Sequence, residues 1–147
     1  MGMAGGAMNA IEWDRKFEIG HQRIDFEHRI FLDLIRSFGD EADRGETRDP
    51  RRLNRQLTEI TKYAEFHFVS EENIMIEVGY PDFENHRELH SVLLNELRDM
   101  AFRLRAGRAN PRELVEFLYH WFTQHTLHKD KLITDYVNRQ GVSAAIH

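Results

Sequence analysis

The chain has 147 residues, 41% hydrophobic and 31% charged, with a formal net charge of −5, which suits one globular domain with a sizeable core. Arginines gather at Arg48, Arg51, Arg52 and Arg55 and again at Arg98, Arg103, Arg105 and Arg108, but acidic residues interleave with them, which argues against nucleic acid as a partner. There is no cysteine, so disulfides, thiolate metal sites and a cysteine nucleophile are excluded.

The start, "MGMAGGAMNA", has neither the basic nor the apolar region of a signal peptide, and Gly6 breaks the myristoylation pattern. Residues 1–10 are therefore read as a leader, disordered or left over from cloning, residues 11–140 as the domain and 141–147 as a tail. No apolar run approaches the roughly 20 residues of a membrane span. No membrane contact is expected, and the cytoplasm is the default location.

After an extended N-terminal arm, a first helix is predicted from about His21 to Arg44. Ile24, Phe31, Leu32, Ile35 and Phe38 recur at helical spacing, and His28 falls within their stripe. A second helix opens at Asp49-Pro50, a good cap followed by a residue suited to the first turn. Its stripe runs Leu53, Leu57, Ile60, Ala64, then His67 and Glu71, then Ile74 and Val78, so an apolar face turns polar for one turn and becomes apolar again. Gly79-Tyr80-Pro81 stops it. The third helix, from about Asp82 to Arg105, carries Phe83, His86, His90, Leu93, Leu97, Met100 and Leu104 on one face. The fourth begins at Asn110-Pro111, with Glu113 placed for a capping box, and aligns Leu114, Phe117, Leu118, Trp121, Phe122 and His125. A short helix from about Lys131 to Arg139 follows.

Short loops between long helices favour antiparallel neighbours, so the expected fold is all-α: an up-down-up-down four-helix bundle with an N-terminal arm and a short C-terminal helix. In that topology His28, His67, Glu71, His86, His90 and His125 fall at one end of the bundle, at one level, all facing inward. A lone inward histidine is ordinarily a core residue with a hydrogen bond. Five imidazoles and a carboxylate together cost many kcal/mol in desolvation unless something compensates, and a metal is the natural compensation. A zinc site of the finger type needs thiolates, and calcium or magnesium sites use oxygen ligands, so neither fits. Two ions bridged by carboxylates fit the ligand number better than one. Glu71 is one bridge candidate. Asp130 in "HTLHKD" is another, although five residues of α-helix turn about 500°, so a local widening or a helix end must bring it back beside His125.

His28 in "IDFEH", His67 and Glu71 in "HFVSEE", His86 and His90 in "HRELH", and His125 and Asp130 in "HTLHKD" together resemble the hemerythrin family. Trp13-Asp14, Ile19-Gly20 and Gly79-Tyr80-Pro81 resemble its bacterial branch, and the likeness covers about residues 11–137. The resemblance implies a non-haem di-iron site that binds O2 reversibly. It assigns His86, His90 and His125 to one iron and His28 and His67 to the other, with Glu71, Asp130 and a solvent-derived oxygen bridging both. The second iron then keeps an open position for O2, with NO as an alternative ligand.

The expected O2 pocket is Trp121, Phe122 and Thr126. The family typically has isoleucine where this chain has Thr126 and leucine where it has Phe122. The Thr126 hydroxyl either bonds back to the Phe122 carbonyl or orders a water beside bound O2. Other histidines read differently: His120 as a surface partner of Glu116, His21 as a surface or capping residue, and His128 as a neighbour of the ligands. Glu72 is expected in solvent. The implied function is O2 carriage, storage or delivery. A sensor acting on a protein partner or fused output domain is the alternative, and a peroxidase or iron oxidase a lesser one, so no enzymatic role is assigned.

Overall fold

The computed structural model describes residues 13–140, apart from the side chain of Leu127. The leader at 1–10 and the tail at 141–147 lie outside the described residues. Helix α1 spans Gln22–Ala42, α2 Pro50–Val78, α3 Phe83–Arg105 and α4 Pro111–Gln124. A π-helical turn, His125–Asp130, carries α4 directly into α5, Lys131–Gln140. Among the described residues there is no strand, and no helix is long and apolar enough to cross a membrane.

Local chemistry sets the helix starts. Asp49 and Asn110 each accept from the backbone N–H two residues on, at 3.0 and 2.9 Å, with Pro50 and Pro111 next in line. The capping box expected from Glu113 does not form: Glu113 is exposed, and the Asn110 side chain is engaged by Arg112 N–H. His21 caps α1, its Nδ1 accepting from Ile24 N–H at 3.4 Å. Asp25 takes the N–H groups of Ile19 and Gly20 at 2.9 and 3.2 Å, which fastens the arm to α1. Gly79 closes α2 at φ 68°, a left-handed conformation that a side chain would strain.

The helices form the expected antiparallel bundle. α1 packs on α2 and α4, and α2 packs on α3, whereas α3 and α4 touch only lightly. α3 is consequently the least covered helix: Phe83, Leu93, Met100 and Leu104, expected to face inward, are only half-buried. The main core is built around Phe17, Phe31, Phe38, Phe68 and Phe122 with the aliphatic stripe of α2. A second cluster of Ile19, Ile24, Ile74, Met75, Tyr80, Ile133 and Val137 closes the other end of the molecule. The arm and α5 thus act as a lid. Along α2, Ala64 belongs to the first cluster and Ile74 to the second, so His67 and Glu71 lie between two hydrophobic bodies. Each fully buried aromatic contributes about 1.5–3 kcal/mol, enough in sum to hold a polar layer in place.

Candidate metal centre

Between the two clusters the bundle brings His28 from α1, His67 and Glu71 from α2, His86 and His90 from α3, and His125 and Asp130 from the π-turn into one buried nest. The π-turn is what recruits Asp130. In an α-helix its carboxylate would point away from His125; with i→i+5 closure the two share a face, and His125 Nε2 lies 2.8 Å from Asp130 Oδ1.

Each carboxylate divides its oxygens between two sets of imidazoles. Glu71 Oε1 lies 3.0 Å from His90 Nε2, 3.4 Å from His86 Nε2 and 3.7 Å from His125 Nε2. Its Oε2 lies 3.3 Å from His67 Nε2 and 3.9 Å from His28 Nε2. Asp130 repeats the pattern, with Oδ1 3.3 Å from His86 Nε2 and Oδ2 2.9 Å from His28 Nε2. Two ligand nests result, one with His86, His90 and His125, the other with His28 and His67, and both carboxylates belong to each.

The donor atoms fit cations rather than one another. Glu71 Oε2, His86 Nε2, His125 Nε2 and Asp130 Oδ1 are buried with no hydrogen-bond partner, although they crowd within a few ångströms. His28 Nε2 and His67 Nε2 converge at 3.1 Å. Lone pairs aimed at a common point and unpaired in a dry layer are costly unless a cation takes them up.

Electrostatics say the same. Burial opposes charge on His67, His86 and His125, but the neighbouring carboxylates outweigh it and hold protons on all three above the ordinary imidazole range, His125 at about 9. Burial also opposes ionisation of Glu71, yet the imidazoles, His67 foremost, keep it ionised well below the usual carboxylate range. Asp130 is likewise depressed: burial and Glu71 push it up, and His125 and His28 pull it further down. Without metal, protons therefore balance the nest. Stability from the raised imidazoles is complete below the ordinary value of 6.5 and is lost as pH rises toward about 9, whereas that from the carboxylates fades only in acid. Metal ligation requires the deprotonated rings and strengthens over the same range. The stability gap between metal-loaded and metal-free protein should widen from about pH 6 to about pH 9 by on the order of a few kcal/mol, and the gap in unfolding temperature should widen with it. Paired thermal melts check this; a constant gap would mean that the rings carry no such protons.

Two further carboxylates hold rings from behind. Glu27 accepts from His67 Nδ1 at 2.7 Å and from the Ser70 hydroxyl at 2.8 Å, with Arg23 at 3.3 Å. These contacts outweigh its burial and lower its pKa. Glu72, expected in solvent, instead accepts from His90 Nδ1 at 2.8 Å. Each nest thus has one imidazole whose metal-facing Nε2 is fixed by a carboxylate on Nδ1. Glu27→Ala should orphan Ser70 and His67 Nδ1 and weaken metal retention about 10–100-fold against a chelator, with Glu27→Gln intermediate. Equal retention by wild type and Glu27→Ala would remove this role. Of the other histidines, His120 and His128 are exposed, and no His120–Glu116 ion pair forms among the described residues.

Trp121, Phe122 and Thr126 come together with His28, Phe31, His67, Phe68 and His125 around a cavity of about 10 Å³ beside the two-histidine nest. The edge of Phe122 meets the His28 ring at 5.6 Å between centroids. The cavity is at the lower limit for one water-sized molecule.

The Hemerythrin HHE cation binding domain matches residues 20–137. The chain belongs to the hemerythrin family. It is 27% identical to a bacteriohemerythrin from Stenotrophomonas maltophilia over 131 residues, 88% of this chain and 83% of that protein. It is 29% identical to one from Methylococcus capsulatus over 109 residues, 74% of this chain and 81% of the relative. A crystal structure of wild-type hemerythrin superposes with a TM-score of 0.74 at 28% identity, covering 82% of this chain and 92% of that one. As in the family description, the buried cluster is where a cation fits.

Proposed function

We propose that this hemerythrin-family chain binds O2 reversibly at a non-haem di-iron centre, as a carrier, store or delivery module. The observation that carries the reading is the division of Glu71 and Asp130, each offering one oxygen to either nest. Ligands shared in that way suit two ions side by side. His86, His90 and His125 would hold one iron and His28 and His67 the other, with a solvent-derived oxygen as third bridge. When bound, the irons supply the electrons that make O2 binding strong yet reversible.

The chain's own residues support one place for a ligand. The two-histidine nest has one donor fewer, and the small cavity opens beside it. Its small size rejects organic substrates, which favours the binding of a diatomic molecule such as O2 or NO over catalysis. Phe31, Phe68, Trp121 and Phe122 keep bulk water out. Sensing is the second reading, favoured by the Thr126 hydroxyl in the cavity wall.

Anaerobic reduction followed by air tests the proposal. The expected result is about two irons per chain and a visible charge-transfer band that appears with O2 and fades on its removal. One metal per chain, or a zinc-loaded protein indifferent to oxygen, would sink it.

A further inference from the structure

Helix α2, Pro50–Val78, carries two stripes of the same period. The inner one runs from Leu53 through His67 and Glu71 to Ile74 in alternate steps of four and three, and it is buried throughout. The outer one, Lys62, Phe66, Val69, Asn73 and Ile76, repeats those steps on the opposite side of the helix, and it is exposed throughout. Phe66, Val69 and Ile76 are 54%, 56% and 62% exposed, and they are three of the seven large hydrophobic side chains so exposed among the described residues. Apolar residues exposed one at a time are ordinary. A stripe spaced by alternate fours and threes is different: it is the seam along which a second helix packs. Lys62, at the head of the stripe, forms no ion pair among the described residues.

The seam matches itself when reversed. Let a second copy lay its α2 antiparallel on this one, about a two-fold axis level with Glu71. Phe66 then meets Ile76 of the second copy and Val69 meets Asn73 of the second copy, each contact made twice by symmetry. Lys62 comes within three residues, about 4.5 Å of helix, of Glu77 of the second copy, an offset that a lysine stem spans. A parallel pairing would instead set Lys62 against Lys62, a repulsion at the seam. We infer that the outer face of α2 is the interface of a two-fold symmetric homodimer whose α2 helices run antiparallel. Val69 and Asn73 stand on the same turns as His67 and Glu71, which face the metal centre from the other side of α2. The interface therefore backs onto the ligand turns of both copies, and the two centres stand at one level with the paired α2 helices between them.

Sedimentation velocity of the purified metal-loaded protein at about 100 μM, well above a micromolar Kd, tests this. Sedimentation reads mass whatever the centre binds, so failure of the interface is distinguishable from failure of the oxygen-binding reading. The expected species is a dimer, twice the 17.5 kDa of the chain. Val69→Glu and Ile76→Glu, both at exposed positions, should each give a 17.5 kDa monomer with metal content and helicity unchanged. Lys62→Glu should raise the dimer Kd about tenfold, because two attractions become two repulsions, and adding Glu77→Lys should bring it back to the wild-type value. A monomeric wild type overturns the inference, including the case in which this face takes up a different protein or a lipid surface. A dimer that survives both Val69→Glu and Ile76→Glu overturns it too, because that dimer is built on another face. So does a Lys62→Glu dimer that Glu77→Lys fails to restore.

Discussion

Asp130→Ala is expected to strip the protein of its metal and to lower its unfolding temperature. Asp130 is fully buried and stands 2.9 Å from His28 Nε2, 2.8 Å from His125 Nε2 and 3.3 Å from His86 Nε2. Its removal takes one donor from each nest and leaves protonated imidazoles without their counter-charge. A metal present at about a thousandfold over its Kd contributes about 4 kcal/mol by mass action. For a chain of this size, losing that is on the order of 10–15 °C. Glu71→Ala should behave in the same way, because Glu71 serves the same two nests from α2. His120→Ala, on an exposed position of α4, should change neither metal content nor melting. Metal analysis after chelator challenge, with thermal melts beside it, reads all three. If His120→Ala sheds metal while Asp130→Ala keeps it, the centre lies elsewhere on α4.

How much of this was legible in the sequence depends on the kind of feature. The stripe Leu53, Leu57, Ile60, Ala64, His67, Glu71 and Ile74 announces a helix whose core face turns polar at one level, because burial and helical period are both written in residue type. The Asp130 problem was legible as a problem: five residues after His125 is the wrong spacing for an α-helix, and the π-turn is the answer. Glu27 and Glu72 were not legible as partners of imidazoles. Each is the neighbour in sequence of a nest residue, which puts it off the inward stripe, where an acidic side chain ordinarily meets water. Only the approach of α1 to α2 brings Glu27 under His67 and Ser70, and only that of α2 to α3 brings Glu72 under His90. The opening between α3 and α4 was hidden for a related reason. Periodicity says which face of α3 is apolar; it says nothing of how closely α4 approaches that face, and Leu93, Met100 and Leu104 stay half-covered.

Thr126→Ile is expected to slow the decay of the oxygenated protein in air by roughly tenfold, the rate equivalent of one hydrogen bond in a dry pocket. Thr126 is 1% exposed and lines the cavity with His28, His67 and Phe122. The simple fate for its hydroxyl was a bond to the carbonyl of Phe122. Thr58 and Thr61 on α2 do this, donating to the carbonyls of Asn54 and Leu57 at 3.0 and 2.8 Å. Thr126 forms no such bond among the described residues, and it stands within the π-turn, where the backbone has left the α-helical register. Its hydroxyl is therefore available to the cavity. The hydroxyl is itself a proton donor in the cavity wall where hydrocarbon would offer none, and a donor beside bound O2 promotes loss of oxygen in reduced form. Isoleucine removes the hydroxyl and adds bulk to a cavity already at the limit for one small molecule. Following the oxygen-dependent band of both proteins in air gives the answer. A slower decay in the variant means that Thr126 shortens the life of the oxygenated state, as a sensor requires. An unchanged or faster decay removes that role and returns the weight to carriage.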